Sequence, residues 1–178
     1  MRLLGTPTTT VRIFLSSGDD ALSERDFVDA LVRDGVNTAL MNLDFSVRFE
    51  VDRWERSAPH KILIDASAND EFVARAKRAN LVVSVLIDRL GQGTQQELEA
   101  ALEEDGVELS IVWCEARDGH PDTEVGRWLA CHEDDLLYDR AGGSETPGPR
   151  IALVRLFIEA MLTALREHAP RELLRERR

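Results

Sequence analysis

The sequence predicts an α/β protein, a three-layer α/β/α sandwich around a mostly parallel sheet of about five strands. Apolar, β-prone runs alternate with helical patterns along the 178 residues, as they do in a series of β-α-β units. The run Leu81-Val82-Val83-Ser84-Val85-Leu86 is apolar except for one serine. Such a run is typical of a central strand that is buried on both faces.

Each predicted strand ends at turn-forming residues, and the general plan is flavodoxin-like. The first strand stops at Ser16-Ser17-Gly18-Asp19-Asp20, a cluster of turn formers. Residues 46–52 alternate polar and apolar side chains, so we place this strand nearer an edge of the sheet. The predicted strands are residues 11–15, 46–52, 80–88, 107–113 and, as a short edge strand, 135–138.

Helices are predicted between the strands from apolar spacing and from capping residues. Ser23 is expected to cap the first helix, and Asn69 or Asp70 to cap the helix before the central strand. Gly35 is expected to interrupt the first helix. Residues 35–45 are ambiguous and could continue a helical face after this break. The remaining predicted helices are 97–104, which Gly106 ends, 124–130 and 150–168, which Leu173 and Leu174 could prolong.

These elements divide the chain into four parts. Residues 1–10 form a leader that is either disordered or an extension of the first strand, and residues 11–140 form the α/β domain. Residues 141–149 hold several Gly and Pro and predict a flexible loop. Residues 150–178 form a C-terminal helix that packs on the domain or at a subunit interface.

Composition excludes several classes of function. The net charge of −11 and the pI of about 4.8 disfavour a nucleic-acid partner, because an acidic protein repels the phosphate backbone. No run reaches the about 18 apolar residues of a membrane span, and the N-terminus lacks a signal-peptide core. We therefore expect a cytoplasmic protein without a membrane partner. The four histidines are scattered and the two cysteines lack metal-ligand spacing, so we expect no metal.

The stretch Gly91-Gln92-Gly93-Thr94-Gln95-Gln96-Glu97 joins the central strand to the next helix. Ligands of open α/β sheets bind at the carboxyl ends of the strands, so Glu97 at this helix start is well placed to face one. The alternative is that Glu97 only complements the helix dipole. Glu99 lies about 200° further around the helix, so the two carboxylates cannot face one ligand.

The order of these features resembles the TIR-like domains of bacteria, over roughly residues 11–113. The resemblance depends on Leu15-Ser16-Ser17, Glu24-Arg25-Asp26, Trp54 after the second strand, and Gly93-Thr94-Gln95-Gln96-Glu97. It is closest to the group with a leading FLSS…ER signature. That group is similar to nucleoside 2-deoxyribosyltransferases, in which Gly-Thr-x-x-Glu carries a catalytic carboxylate.

The resemblance implies cleavage of an N-glycosidic bond, that between nicotinamide and ribose in NAD. NAD would be a substrate, so no cofactor is expected, and Glu97 would be the catalytic carboxylate. The protein would be an effector in bacterial defence or a toxin-like system, acting as a homo-oligomer or with a separate sensor protein. The residues implied in substrate binding are Ser16, Ser17, Asp19, Arg25, Trp54, Asp88 and Thr94.

The same residues are compatible with other functions. Thr94 stands near the position where enzymatic TIR domains have Ser or Cys, which favours a nucleoside or nucleotide N-glycosidase or a deoxyribosyltransferase. A non-catalytic module that binds a nucleotide signal or another protein is the third interpretation. Trp54 could be a packing residue instead of a stacking platform, and Asp88 could be only a turn residue.

Overall fold

The computed structural model describes residues 9–42, 45–53, 66–87, 89–114, 123–132, 138–141 and 148–168. The strands in this part are β1 Thr9–Ser17, β2 Val47–Asp52, β3 Leu81–Leu86, β4 Glu108–Cys114 and β5 Tyr138–Ala141. The α-helices are α1 Leu22–Ala30, α2 Asn37–Asn42, α3 Ala66–Ala76, α4 Gln92–Glu103, α5 Glu124–Cys131 and α6 Pro149–His168. A 3₁₀ turn, Asp19–Ala21, precedes α1, and the π-helical segment Leu31–Val36 joins α1 to α2.

The five strands form one parallel sheet in the order β2-β1-β3-β4-β5. This confirms the predicted α/β class and the parallel sheet. β3 lies at the centre with all six residues buried, as its apolar run predicts. β2 lies at one edge, where its alternating pattern places it, and alternates buried and exposed residues over its first half.

Each face of the sheet has its own apolar core, because successive strand residues point to opposite faces. We call them the α1 face and the α4 face. The α1 face, which includes Ile13, Leu15, Val83 and Val85, is covered by α1, the π-helical segment, α2 and α6. On the α4 face, α3, α4 and α5 pack over side chains such as Phe14. The result is the predicted three-layer sandwich.

The start of α1 differs from the prediction. Ser23 is not the cap but lies within the first turn of α1, where its hydroxyl donates to the Glu24 carboxylate at 2.7 Å. The chain already turns through the 3₁₀ segment Asp19–Ala21, so α1 continues from that turn. Ala21 precedes α1 without a side-chain cap.

Three further expectations about the helices also differ from the structure. α4 begins at Gln92 and not at residue 97, so Glu97 lies in its second turn and not at the helix start. α3 begins at Ala66, so Asn69 and Asp70 lie inside the helix and do not cap it. The Asn69 side chain instead donates to the Gln96 side chain on α4. Gly35 does not break the helix, because it lies in the π-helical segment that leads directly into α2.

The two C-terminal elements are β5, which forms an edge of the sheet, and α6, which packs on the α1 face. β5 pairs with Ile111–Cys114 of β4; it includes Tyr138 of the predicted strand, while residues 135–137 lie outside the described part. α6 buries Ala152, Leu153, Leu156 and Phe157 in the core of the α1 face. Leu173 and Leu174 lie outside the described residues, as do residues 1–8 of the leader and 142–147 of the loop. Among the described helices, none combines the length and the apolarity that a bilayer span requires.

Candidate active site

The carboxyl ends of β1 and β3 and the start of α4 meet at one edge of the sheet. The turn after β1 and the turn after β3 are joined there by a hydrogen bond from the Arg89 backbone N–H to Asp20 Oδ2 at 3.4 Å. Gly18 also lies against this second turn, since a Cβ there would be 3.5 Å from the Arg89 carbonyl oxygen. This edge is where open α/β sheets bind ligands.

Glu97 contacts the end of β1 directly. Ser16 Oγ donates a hydrogen bond of 2.5 Å to Glu97 Oε2, a length typical of a hydroxyl bonded to a charged acceptor. Only 7% of Glu97 and 1% of Ser16 are exposed. The next residue, Leu98, is buried in the core of the α4 face, so packing of α4 on the sheet fixes the position of the carboxyl group.

Burial dominates the acidity of Glu97. Removal of the carboxylate from water raises its pKa from 4.5 to about 7, against the opposing effects of the Ser16 hydrogen bond and the positive charge of Arg25. Arg25 is 2% exposed on α1, which is rare for an arginine. The structure therefore brings a carboxyl group, a hydroxyl and a guanidinium together, with the carboxyl group poised to gain or lose a proton near neutral pH.

A second serine, Ser84, lies beside Ser16 and was not singled out from the sequence. Ser84 is the register partner of Ser16 between β3 and β1, and it is fully buried. Its Oγ has no hydrogen-bond partner among the described residues. The signal was present in the sequence as the one polar residue of an otherwise apolar strand.

The remaining predicted site residues are Ser17, Thr94, Asp19, Trp54 and Asp88. Ser17 is buried, but it follows Ser16 in β1 and so points to the opposite face of the sheet. Thr94 is buried in the first turn of α4. Asp19 begins the 3₁₀ turn at this edge, while Trp54 and Asp88 lie outside the described residues.

Glu99, the rival of Glu97, belongs to a different surface. It accepts a hydrogen bond of 2.7 Å from Gln95 Nε2, one turn earlier on α4. It is partly exposed, whereas Glu97 is buried. The two carboxyl groups therefore differ in environment, as their angular separation on the helix predicts.

A cleft of about 390 Å³ opens elsewhere, between β1, β2 and the end of α3. Its charged lining residues are Arg12, Glu50, Asp52, Arg75 and Arg78. Arg75 is engaged by Asp52 at 3.2 Å and by Glu71. Glu97 does not line this cleft, so the cleft and the carboxyl group with the perturbed pKa lie at different places. We place the candidate site at Glu97, because its buried carboxyl group has a perturbed pKa and lies at the carboxyl edge of the sheet.

Cys114 is a poor nucleophile. It ends β4 on the α1 face, and burial together with the negative charges of Glu24 and Asp20 raises its thiol pKa to about 12. A thiol with this pKa is protonated at neutral pH and is inert. Among the residues that the structure describes, no three His, Cys, Asp or Glu side chains are grouped as a metal site would require.

Comparison with known proteins finds similar solved structures at low sequence identity. No protein-family profile matches the chain, and no curated protein matches it. One similar solved structure is the TIR domain heterodimer of RPS4 and RRS1, with 14% identity, 86% of this chain and 96% of that chain covered, and a TM-score of 0.45. Another is the flavodoxin of Streptococcus pneumonia TIGR4, with 11% identity, 87% and 99% covered, and a TM-score of 0.45.

Proposed function

We propose that this chain is a hydrolase that cleaves the N-glycosidic bond between nicotinamide and ribose in NAD, with Glu97 as its catalytic carboxylate. The observation that carries the proposal is the buried Glu97 carboxyl group, bonded to Ser16 at 2.5 Å at the carboxyl edge of the sheet. The Gly93-Thr94-Gln95-Gln96-Glu97 resemblance described above supports the same chemistry. Both lines of support converge on one residue.

The chemistry suits a buried carboxylate. When the bond from ribose C1′ to the pyridinium nitrogen breaks, its electron pair goes to the nitrogen and neutral nicotinamide leaves. Positive charge then develops on the ribose, as in glycosidase transition states. An ionised Glu97 in a site of low dielectric constant stabilises this charge strongly.

Glu97 can also accept the proton that water releases in the second half-reaction. Water adds to C1′ and loses one proton, which gives ADP-ribose as the second product. A general base is most effective when its pKa lies near the working pH, and the pKa of Glu97 is about 7. Arg25 favours the ionised state of Glu97 through its positive charge, while Ser16 orients the carboxylate.

The edge around Glu97 offers groups for the rest of a dinucleotide. The turn that contains Asp19 leads into α1, and the turn after β3 leads into α4; N–H groups at such helix starts bind phosphates. Thr94 in the first turn of α4 would contact the ribose or a phosphate. Trp54 would stack on a base. Asp88 and the backbone of Ser17, whose side chain points to the other face of the sheet, complete the set of residues proposed for substrate binding.

A second candidate function is a non-catalytic module that binds a nucleotide signal. The observation that favours it is the low exposure of Glu97, 7%, because a catalytic carboxylate must reach the ribose. In such a module, Glu97 and Ser16 would hold α4 against β1, and the nucleotide would be bound without being consumed.

The test is NAD turnover by concentrated protein, with nicotinamide and ADP-ribose separated by chromatography. We expect loss of NAD in proportion to the parent protein, and a fall of at least about 100-fold in Glu97→Gln, since removal of one electrostatic stabiliser costs this much. Glu99→Gln is the matched control on the same helix and is expected to retain activity. Equal turnover in the parent and Glu97→Gln would overturn the assignment of Glu97.

Substrate choice is resolved in the same experiment. Nucleosides and nucleotides are offered in parallel with NAD, so that turnover of these alone would replace NAD by the nucleosidase alternative. Saturable binding of NAD without turnover, measured by calorimetry at the same protein concentration, would favour the binding module instead.

A further inference from the structure

Ser84 has an environment that a serine rarely tolerates without a hydrogen bond. It is fully buried at the centre of β3, with Val82 and Leu86 on the same face of the strand and Ile111 as its register partner on β4. All three neighbours belong to the apolar core of the α4 face. A hydroxyl in such surroundings costs free energy unless a hydrogen bond compensates for its lost hydration.

Ser16 is the polar neighbour in register. Ser16 and Ser84 are Cα partners on adjacent parallel strands, which lie about 4.8 Å apart, and paired residues point to the same face. The Ser16 hydroxyl gives its single proton to Glu97, so its oxygen retains lone pairs that can accept. The Ser84 hydroxyl has a proton to donate and, among the described residues, no partner that receives it.

We propose that Ser84 is a positioning residue of the Glu97 site, whose hydroxyl donates to Ser16 Oγ and so holds Ser16 in the orientation that donates to Glu97. The bond forms by rotation of the Ser84 side chain between its staggered positions. Two hydrogen bonds then run in one direction, from Ser84 to Ser16 and from Ser16 to the carboxylate. Each polarises the other, which strengthens both. This inference rests on the proposed function only for its catalytic consequence.

The Ser84 hydroxyl affects the protonation of Glu97 through Ser16. Hydrogen bonds to the ionised form lower the pKa of a carboxyl group, so loss of the Ser84 hydroxyl raises the pKa of Glu97. The charged group that acts on Glu97 from α1 is Arg25. From α3, the uncharged Asn69 contacts the neighbouring Gln96.

The experiment is a titration of the Glu97 carboxyl carbon by ¹³C NMR in the full chain. The Glu97 signal is identified as the one that is absent from Glu97→Gln. We expect Ser84→Ala to raise the pKa of Glu97 by roughly half a unit to one unit. Ser110→Ala, a serine of β4 whose register partner Val83 belongs to the α1 face, is the matched control and is expected to leave the pKa unchanged.

A double-mutant cycle tests whether Ser84 acts through Ser16. We expect Ser84→Ala to have no further effect on the Glu97 pKa in a Ser16→Ala background, because the intermediate hydroxyl is missing. Ser84→Cys keeps a donor at this position, although a weaker one, so it should give an intermediate shift. An unchanged pKa in Ser84→Ala, or the same shift with and without Ser16, would overturn the proposal.

These outcomes are separate from those of the turnover assay. The NMR titration needs no catalysis, so a shift in a protein without NAD turnover would refute the proposed function and retain the positioning role. NAD turnover by the parent together with an unchanged Glu97 pKa in Ser84→Ala would support the proposed function and refute the positioning role. In an active protein, Ser84→Ala should also move the acidic limb of the kcat/KM profile by the same amount as the NMR pKa.

Discussion

Ser16 Oγ and Glu97 Oε2 are 2.5 Å apart although the two residues are separated by 81 positions in the chain. This bond joins the end of β1 to the first turns of α4 beneath the carboxyl edge of the sheet. Because both residues are buried, water competes little for either group. The pair therefore sets both the orientation and the acidity of the carboxyl group on which the proposed hydrolysis depends.

The first prediction concerns the pH dependence of turnover. In the proposed hydrolysis, the carboxylate form of Glu97 stabilises positive charge on the ribose, and the pKa of this group in the free protein is about 7. We expect kcat/KM for NAD to rise with pH through this value and to fall about tenfold per pH unit well below it. A profile of kcat/KM between pH 5 and 9 measures this, and a flat profile below pH 6 would exclude Glu97 as the titrating group.

The second prediction concerns the hydroxyl of Ser16. Ser16→Ala removes a bond that favours the ionised carboxylate, so the acidic limb of the profile should move to higher pH. At pH 7 the activity should fall by roughly three- to tenfold, since a shift of one pKa unit changes the ionised fraction by this order. Activity at pH 9 should be largely recovered, which separates this effect from misfolding. An equal loss of activity at all pH values would contradict this explanation.

The sequence predicted the framework of the site because its signals are local. The turn formers after β1 and the Gly-Thr spacing before Glu97 both mark carboxyl ends of strands, and parallel strands bring such ends to one edge. The continuous apolar run of β3 and the alternation of β2 likewise set their central and edge positions. These patterns depend on chain neighbours alone.

The contacts within the site could not be predicted, because they depend on register. Ser84 faces Ser16 only in the observed pairing, and a slip by one residue would turn it to the other face of the sheet. Arg25 is buried, although most arginines lie at the surface. The predicted cap at Ser23 was wrong for a different, local reason, because the 3₁₀ turn Asp19–Ala21 leads directly into α1 and places Ser23 inside the helix.

The third prediction concerns stability. The folded protein raises the pKa of Glu97 from 4.5 to about 7, so folding favours the protonated form. The contribution of protonated Glu97 to the free energy of unfolding is fully present below about pH 4.5, is lost as the pH rises, and is absent above about pH 7. The difference between the pKa values of Glu97 in the unfolded and folded protein amounts to about 3 kcal/mol of unfolding free energy. This is large compared with the net stability of a typical domain.

Glu97→Gln removes this penalty and retains a carbonyl oxygen that can accept from Ser16. We expect the variant to be more stable than the parent by about 2 kcal/mol at pH 8.5 and to match it closely at pH 5. Urea unfolding at the two pH values measures the difference, and Glu99→Gln provides the control for loss of a charge on α4. A destabilised Glu97→Gln at pH 8.5 would indicate that the charged form is structurally required.

The fourth prediction concerns the two thiols. Burial and the charges of Glu24 and Asp20 raise the pKa of Cys114 to about 12, whereas Cys131 is exposed at the end of α5. Because the thiolate is the reactive form, a disulfide reagent at pH 7.5 should label one thiol per native chain quickly and both after denaturation. Cys131→Ser should abolish the fast reaction, and Cys114→Ala should leave it intact. Fast labelling that survives in Cys131→Ser would show an accessible and ionised Cys114, which would make that residue a candidate nucleophile.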